Sequence, residues 1–176
     1  LANLSINLEQ NILSETVGSQ DQIAASFGGL NSIKFYKNGK FKIVKIKKSE
    51  KDLESFSKNF LMVFTGINRT AKFIADTYVN KLNKKKKDLF EIISQVKTAK
   101  HLLNENKIFE FGKLLNETWK IKRLLSPSVS NEQIDKIYDN GLKNGATGGK
   151  LLGAGGGGFI LFQVKPEDRE KFLKKM

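Results

Sequence analysis

Residues 150–162 read KLLGAGGGGFILF: five glycines fall in the six positions from Gly153 to Gly158, and an apolar run follows at once. Each glycine costs roughly 0.5–1 kcal/mol relative to alanine inside a regular element. A cluster this dense at the mouth of a buried strand is expected where something approaches the backbone closely or where the chain must turn through positive φ. A phosphate or a second glycine-rich loop fits that description. The spacing Gly153-x-Gly155-x-x-Gly158 also satisfies the dinucleotide fingerprint literally. That fingerprint needs a strand before the glycines and a helix after them, so that a pyrophosphate rests on the helix N-terminus. Here a helix and a polar turn are expected before the loop and the strand FILFQV after it, so the dinucleotide reading fails. No Lys-Ser or Lys-Thr pair follows the glycines, which excludes a Walker-type phosphate loop.

The rest of the chain reads as α+β. Leu1, Leu4, Leu8 and Ile12 stand at helical spacing within residues 1–16. SIKFYKNGKFKIVKI predicts a hairpin about Asn38-Gly39, with Ile33, Phe35 and Tyr36 before the turn and Phe41, Ile43, Val44 and Ile46 after it. NFLMVFTGI, residues 59–67, reads as a buried strand. The helix after it has Asn68 or Thr70 as its cap and Phe73, Ile74 and Val79 as inward residues. Amphipathic helices are predicted near 88–104 and 107–125. A further helix over 131–145 is capped by Ser130, and a last one within 166–176 carries Pro166 in its first turn. Two separated central strands do not make a stable sheet, so more strands are required.

Composition narrows the function classes. An apolar fraction of 39% with 28% charged residues suits a globular chain rather than a disordered one. No apolar run approaches the roughly 20 residues that span a bilayer, and no membrane partner is expected. The absence of cysteine removes disulfides and thiolate metal sites and fits a cytoplasmic protein. His101 is the single histidine, so no metal site is expected. The net charge of +13 comes mainly from lysines spread over KIKKSEKD, NKKKKD and KFLKKM. Arginine, the residue suited to bidentate phosphate or base recognition, is scarce. That pattern describes solvated lysine faces better than a nucleic-acid surface. A non-catalytic basic ferredoxin-like module that binds a polyanion is the non-enzymatic alternative.

A second constellation lies in VGSQDQIAASFGGLN, residues 17–31. Asp21 stands between Gln20 and Gln22, with Gly18 before and Gly28-Gly29 after, and the small residues Ala24, Ala25 and Ser26 leave room for a substrate. A carboxylate in a partly buried slot orients a hydroxyl and accepts its proton during phosphoryl transfer. An aspartate at a helix start beside a turn satisfies the same pattern. Ser19, Gln20 and Gln22 are candidates to position Asp21 or to touch substrate hydroxyls. Thr65 and Gly66 close a strand near the expected acceptor. Arg69, with Lys72 as a weaker partner, is a candidate for holding an anion at a helix start; a surface arginine balancing Asp76 is the plainer account. Trp119 is expected to pack between helices.

VGSQDQIAASFGGLN resembles the catalytic-aspartate segment of the GHMP small-molecule kinases, the superfamily of galactokinase, homoserine kinase, mevalonate kinase and phosphomevalonate kinase. KLLGAGGGGFILF resembles that superfamily's third, C-terminal glycine-rich motif. FTGINRTAKFIAD and ILSETVGSQDQIAASFGGLNSIKF are similar to the sugar-1-kinase branch that contains D-glycero-D-manno-heptose 7-phosphate kinase. The resemblance implies an α+β fold in two parts. Residues 1–56 would be the end of a ribosomal S5 domain 2-like N-terminal domain, and residues 57–176 a ferredoxin-like C-terminal domain lacking its last strand. It implies that ATP and Mg²⁺ serve to phosphorylate the anomeric hydroxyl of a sugar phosphate, with Asp21 as base or hydroxyl orienter. The main chain of Gly153, Ala154, Gly155, Gly156 and Gly157 would pack against the phosphate-binding loop and shape the substrate site. The activity would serve nucleotide-activated heptose synthesis for polysaccharide in the cytoplasm. The superfamily's Pro-x-x-x-Gly-Leu-Gly-Ser-Ser loop, which supplies the triphosphate cradle and a hydroxyl for Mg²⁺, has no counterpart in this sequence. The chain is therefore expected to be a fragment with little or no kinase activity of its own. A fucose kinase or another sugar-1-kinase is the alternative specificity. Apolar surface left by an incomplete fold makes a homo-oligomer an expectation.

Overall fold

The computed structural model describes residues 1–68, 71–79 and 82–176, with the backbone alone at 71–73 and 78. The chain divides into two compact units, Leu1–Ser49 and Glu50–Met176.

The first unit opens with α1 (Ala2–Asn7), which widens into a π-helical turn over Leu8–Ile12, and continues with α2 (Gln20–Phe27). Strands β1 (Asn31–Phe35) and β2 (Phe41–Lys45) then pair antiparallel, with Ile33 opposite Ile43 and Phe35 opposite Phe41. The Asn38-Gly39 turn is the reason: Gly39 takes φ +77°, and the Lys40 amide donates to Asn38 Oδ1 at 3.1 Å. Phe27 meets Phe41 edge-on at 6.3 Å and ties α2 to the hairpin. Ala2 and Ile23 are buried, whereas the Leu1, Leu4, Leu8 and Ile12 stripe is exposed throughout.

The second unit is built on a three-stranded antiparallel sheet in the order β3 (Phe60–Phe64), β5 (Phe159–Gln163), β4 (Gly148–Leu151). Strand β4 corrects the sequence reading, in which a helix and a polar turn run straight into the glycine loop. Its two leading glycines carry no strand propensity. They belong there because of what they touch. A Cβ on Gly148 would lie 2.1 Å from the Gly112 carbonyl oxygen, and one on Gly149 would lie 2.3 Å from that of Leu161. The dinucleotide reading still fails, because the element after the loop is a strand.

Alternate residues of β5, Ile160 and Phe162, point into the core beside Leu61 and Leu151. Helices α6 (Ile108–Arg123) and α7 (Glu132–Lys143) cover them with Trp119, Ile134 and Tyr138, and α8 (Arg169–Leu173) adds Phe172. The Phe162 ring stacks on Tyr138 at 5.6 Å and meets Phe172 at 5.5 Å. A Cβ on Gly141 would lie 2.5 Å from that ring, so α7 reaches the sheet because it carries a glycine at the contact. Burying one such side chain contributes about 1.5–3 kcal/mol.

Helix α3 (Glu50–Lys58) has no counterpart in the sequence reading. Its Phe56 packs with Phe60 of β3 at 4.7 Å and with Phe111 of α6 at 6.0 Å, so tertiary contacts sustain a short, highly charged helix. Helices α4 (Ala71–Val79) and α5 (Lys86–Asn104) complete the set. Ile74 is buried as expected, but Val79 is exposed. Thr70 and the Phe73 side chain lie outside the described residues. The cap of α7 is Asn131 rather than Ser130: Asn131 Oδ1 accepts from the Ile134 amide at 3.0 Å, while the Ser130 hydroxyl donates to Asp135 at 2.6 Å.

Candidate active site

The connection between β4 and β5 is the glycine loop, closed at its base by the Leu152 amide donating to the Phe159 carbonyl at 2.9 Å. Gly153, Gly155, Gly156 and Gly158 take φ of +64°, +120°, +75° and +87°. Side-chain-bearing residues avoid these conformations, which accounts for the composition of the loop. Two amides anchor it. Gly156 N–H donates to the Val129 carbonyl and Gly158 N–H to the Ile67 carbonyl, both at 2.9 Å. The Gly158 carbonyl accepts from both the amide and the hydroxyl of Thr65, each at 2.9 Å. The Thr65 hydroxyl in turn accepts from the Ile67 amide at 3.3 Å, and Gln133 Nε2 of α7 donates to the Thr65 carbonyl at 3.0 Å. Cβ atoms placed on Gly156 and Gly157 would lie 2.5 Å from Ile74 Cδ1 and 2.5 Å from the Ile67 carbonyl oxygen. The close approach read from the composition is thus made, within this unit, by the turn after β3 and the turn at Pro127–Val129.

The remainder of the loop borders a cavity of about 310 Å³, walled by Ile67, Asn68, Leu152, Phe159 and the loop itself. Among the described residues, the amides of Gly153, Ala154, Gly155 and Gly157 have no protein partner, and Lys122 of α6 donates to the Gly153 carbonyl. Unbonded amides on a backbone that turns through positive φ suit an oxyanion. The volume lies at the small end of ligand pockets. Two neighbouring groups are perturbed. Burial lowers the pKa of the Lys150 ammonium on β4 below its ordinary value of 10.5. Burial also raises the Tyr138 phenol above the usual range. Its oxygen lies 3.0 Å from the Gly149 carbonyl and 2.8 Å from Asn116 Oδ1, and its one proton serves one of them at a time.

Thr65 is 2% exposed and its hydroxyl is engaged within the protein; Gly66, with φ +74°, turns the chain beside Gln133. Both build the floor under the loop. Arg69 lies outside the described residues, as does the Lys72 side chain. Asn68, read from the sequence only as a helix cap, borders the cavity, whereas Gln133, Val129 and Lys122 were not among the sequence candidates. These three come from distant elements, and no local pattern marks them. Trp119 is buried in the core.

In the first unit, Asp21 stands in the first turn of α2, exposed and, among the described residues, without a hydrogen bond or ion pair. The next two residues, Gln22 and Ile23, take the inward positions of the helix. Gln22 Nε2 donates to the Glu9 carboxylate. Ser19 Oγ accepts from Gln10 Nε2 at 3.2 Å, and the same amide donates to the Val17 carbonyl at 2.9 Å. Ser19 and Gln22 therefore hold α2 to the preceding π-helical turn, while Gln20 and Asp21 stand outside. Glu9 and Gln10 are the supporting residues that the motif did not reveal. Among the described residues, no group of three His, Cys, Asp or Glu side chains could hold a metal ion, and no helix is long and apolar enough to cross a membrane.

Residues 99–176 match the family model described as GHMP kinases C terminal. The chain is similar to the D-glycero-alpha-D-manno-heptose 7-phosphate kinase of Campylobacter jejuni, 30% identical over 178 residues that cover 100% of this chain and 52% of that protein. It is also similar to the bifunctional fucokinase/GDP-fucose pyrophosphorylase of Arabidopsis thaliana, 28% identical over 181 residues, 99% of this chain and 17% of that protein. Among solved structures, a D-glycero-D-manno-heptose 1-phosphate kinase from Bacteroides thetaiotaomicron superposes with a TM-score of 0.69 over 98% of this chain and 46% of that one. At 22% identity, this last likeness concerns the fold alone. The chain spans about half the length of the Campylobacter relative and less of the Arabidopsis one.

Proposed function

We propose that the chain is part of an ATP-dependent sugar kinase of the GHMP type, acting on the anomeric hydroxyl of a sugar phosphate; the match of residues 99–176 to the family model described as GHMP kinases C terminal supports this reading. The substrate we assign is D-glycero-D-manno-heptose 7-phosphate, converted to the 1,7-bisphosphate. The observation that carries this reading is the alignment of the whole of this chain with about half of the Campylobacter heptose 7-phosphate kinase. In the proposed arrangement residues 1–56 end an S5 domain 2-like N-terminal domain and residues 57–176 form the ferredoxin-like C-terminal domain.

The roles follow from the chemistry of the groups. Asp21 is the base or hydroxyl orienter: its carboxylate is exposed and uncommitted, free to accept a sugar hydroxyl proton. A positioned base of this kind contributes about 10²–10⁴-fold. The unbonded amides of Gly153, Ala154, Gly155 and Gly157 receive phosphate oxygens or the loop that cradles them. Gln133 and Thr65 position the glycine loop. Bound Mg²⁺ would neutralise phosphate charge, but the described acidic residues make no metal site, and no step is assigned to the ion.

Two measurements test the proposal. The coding sequence upstream of Leu1 is expected to contain a Gly-Leu-Gly-Ser-Ser segment. The intact product is expected to release ADP with heptose 7-phosphate, whereas this chain alone does not. Turnover with L-fucose instead would support the fucokinase likeness and overturn the heptose assignment. Neither segment nor turnover with either sugar would overturn the kinase reading. Turnover by the isolated chain at about 1–100 s⁻¹ would overturn its incompleteness.

A further inference from the structure

The +13 charge and the KKKK run at residues 84–87 play no part in the proposed chemistry. The structure shows where part of that charge goes. Lys86, Phe90, Ile93, Lys97 and Lys100 follow one another on α5 at intervals of four, three, four and three residues, which sets them in one stripe along the helix. Leu89 and Ile92, on the flank of this stripe, pack on the core of the second unit. The stripe itself is open: Phe90 is 68% and Ile93 63% exposed. Among the described residues, Lys86, Lys87, Lys97 and Lys100 have no acidic partner, and Asp88 is taken by Lys85 at 3.8 Å. Glu91, to one side, is the single exposed acid in this stretch of the helix.

We propose that this face of α5 is a peripheral docking surface for an anionic lipid bilayer. A surface-lying helix needs apolar residues on the side that meets the acyl boundary and lysines whose long stems carry their charge to the headgroups; it needs none of the length of a spanning helix. Phe90 and Ile93 supply the first requirement and the flanking lysines the second. A second copy of the chain would bring the same positive stripe and be repelled. Lysines on both sides of Phe90 and Ile93, at 86, 87, 97 and 100, without arginine forks, suit a diffuse negative potential that requires no register.

The test is co-sedimentation of the purified chain with vesicles of phosphatidylcholine alone and of phosphatidylcholine and phosphatidylglycerol in equal parts. Binding is expected to the mixed vesicles only and is expected to fall as salt is raised. Phe90→Ser with Ile93→Ser, and separately Lys97→Glu with Lys100→Glu, are each expected to weaken it about tenfold or more. Circular dichroism of these exposed-site variants should be unchanged. Equal sedimentation with neutral vesicles, no sedimentation with the mixed ones, or binding indifferent to both pairs of substitutions would overturn the proposal. Capture of the chain by an acidic protein with no vesicle binding would also overturn it.

Discussion

The hydroxyl of Thr65 donates to the carbonyl of Gly158 at 2.9 Å, joining residues 93 positions apart. The same carbonyl receives the Thr65 amide, so the end of β3 and the start of β5 are locked where the glycine loop ends. Thr65→Val keeps the shape but removes the donor and leaves the Ile67 amide without its acceptor. It is expected to cost about 1–3 kcal/mol in urea unfolding, and Thr65→Ser markedly less. An unchanged midpoint in the valine variant would show that the lock does not hold the loop.

The two ends of the loop should respond differently to alanine. Gly157 lies against backbone, where a Cβ would meet the Ile67 carbonyl oxygen at 2.5 Å; Gly153 has open space beyond it and only a positive φ to satisfy. Gly157→Ala is expected to cost about 1–3 kcal/mol and to displace the loop. Gly153→Ala should cost about 1–2 kcal/mol through its backbone alone, with the core unchanged. Amide hydrogen exchange at Gly156 and Gly158 separates the two, rising for Gly157→Ala and not for Gly153→Ala.

Lys150 offers a test with a definite sign. Its pKa is lowered by burial, so the native state holds the proton less tightly than the unfolded chain. Between the folded value and 10.5 the unfolded state binds more protons, and this residue's contribution to stability therefore rises with pH across that window. Below the window the full cost of a buried charge is present. Lys150→Met should raise the thermal midpoint at neutral pH and flatten the alkaline rise; a lowered midpoint would contradict it.

Asp21→Asn separates catalysis from structure. The carboxylate has no partner to lose among the described residues, so the stability change should stay within about 0.5 kcal/mol. On the proposed reading, phosphoryl transfer by the full-length protein should fall about 10²-fold or more. A large loss of stability with little loss of turnover would return Asp21 to a structural role.

Much of the secondary structure is legible because its causes are local. Helix α5 follows from apolar periodicity and the β1–β2 hairpin from turn chemistry. Strand β4 and helix α3 escaped the same reading. The first begins on glycines that only the closeness of Gly112 and Leu161 explains, and the second is short, charged and sustained by Phe60 and Phe111. The cap on α7 was misplaced by one residue because Ser130 and Asn131 are both good caps, and Asp135 takes the serine hydroxyl.

Taken alone, the amino-acid order determined that the chain would turn at Asn38-Gly39, that residues 153–158 would need positive φ, and that an acid would stand between two glutamines at a helix start. These properties depend on neighbours a few positions away. Tertiary structure alone decided what the glycines touch, that Gln22 turns inward while Asp21 stays outside, and which distant side chains, Gln133 and Lys122, attend the loop. Those outcomes depend on elements that meet only when the sheet closes and the core excludes water, and no local propensity encodes them.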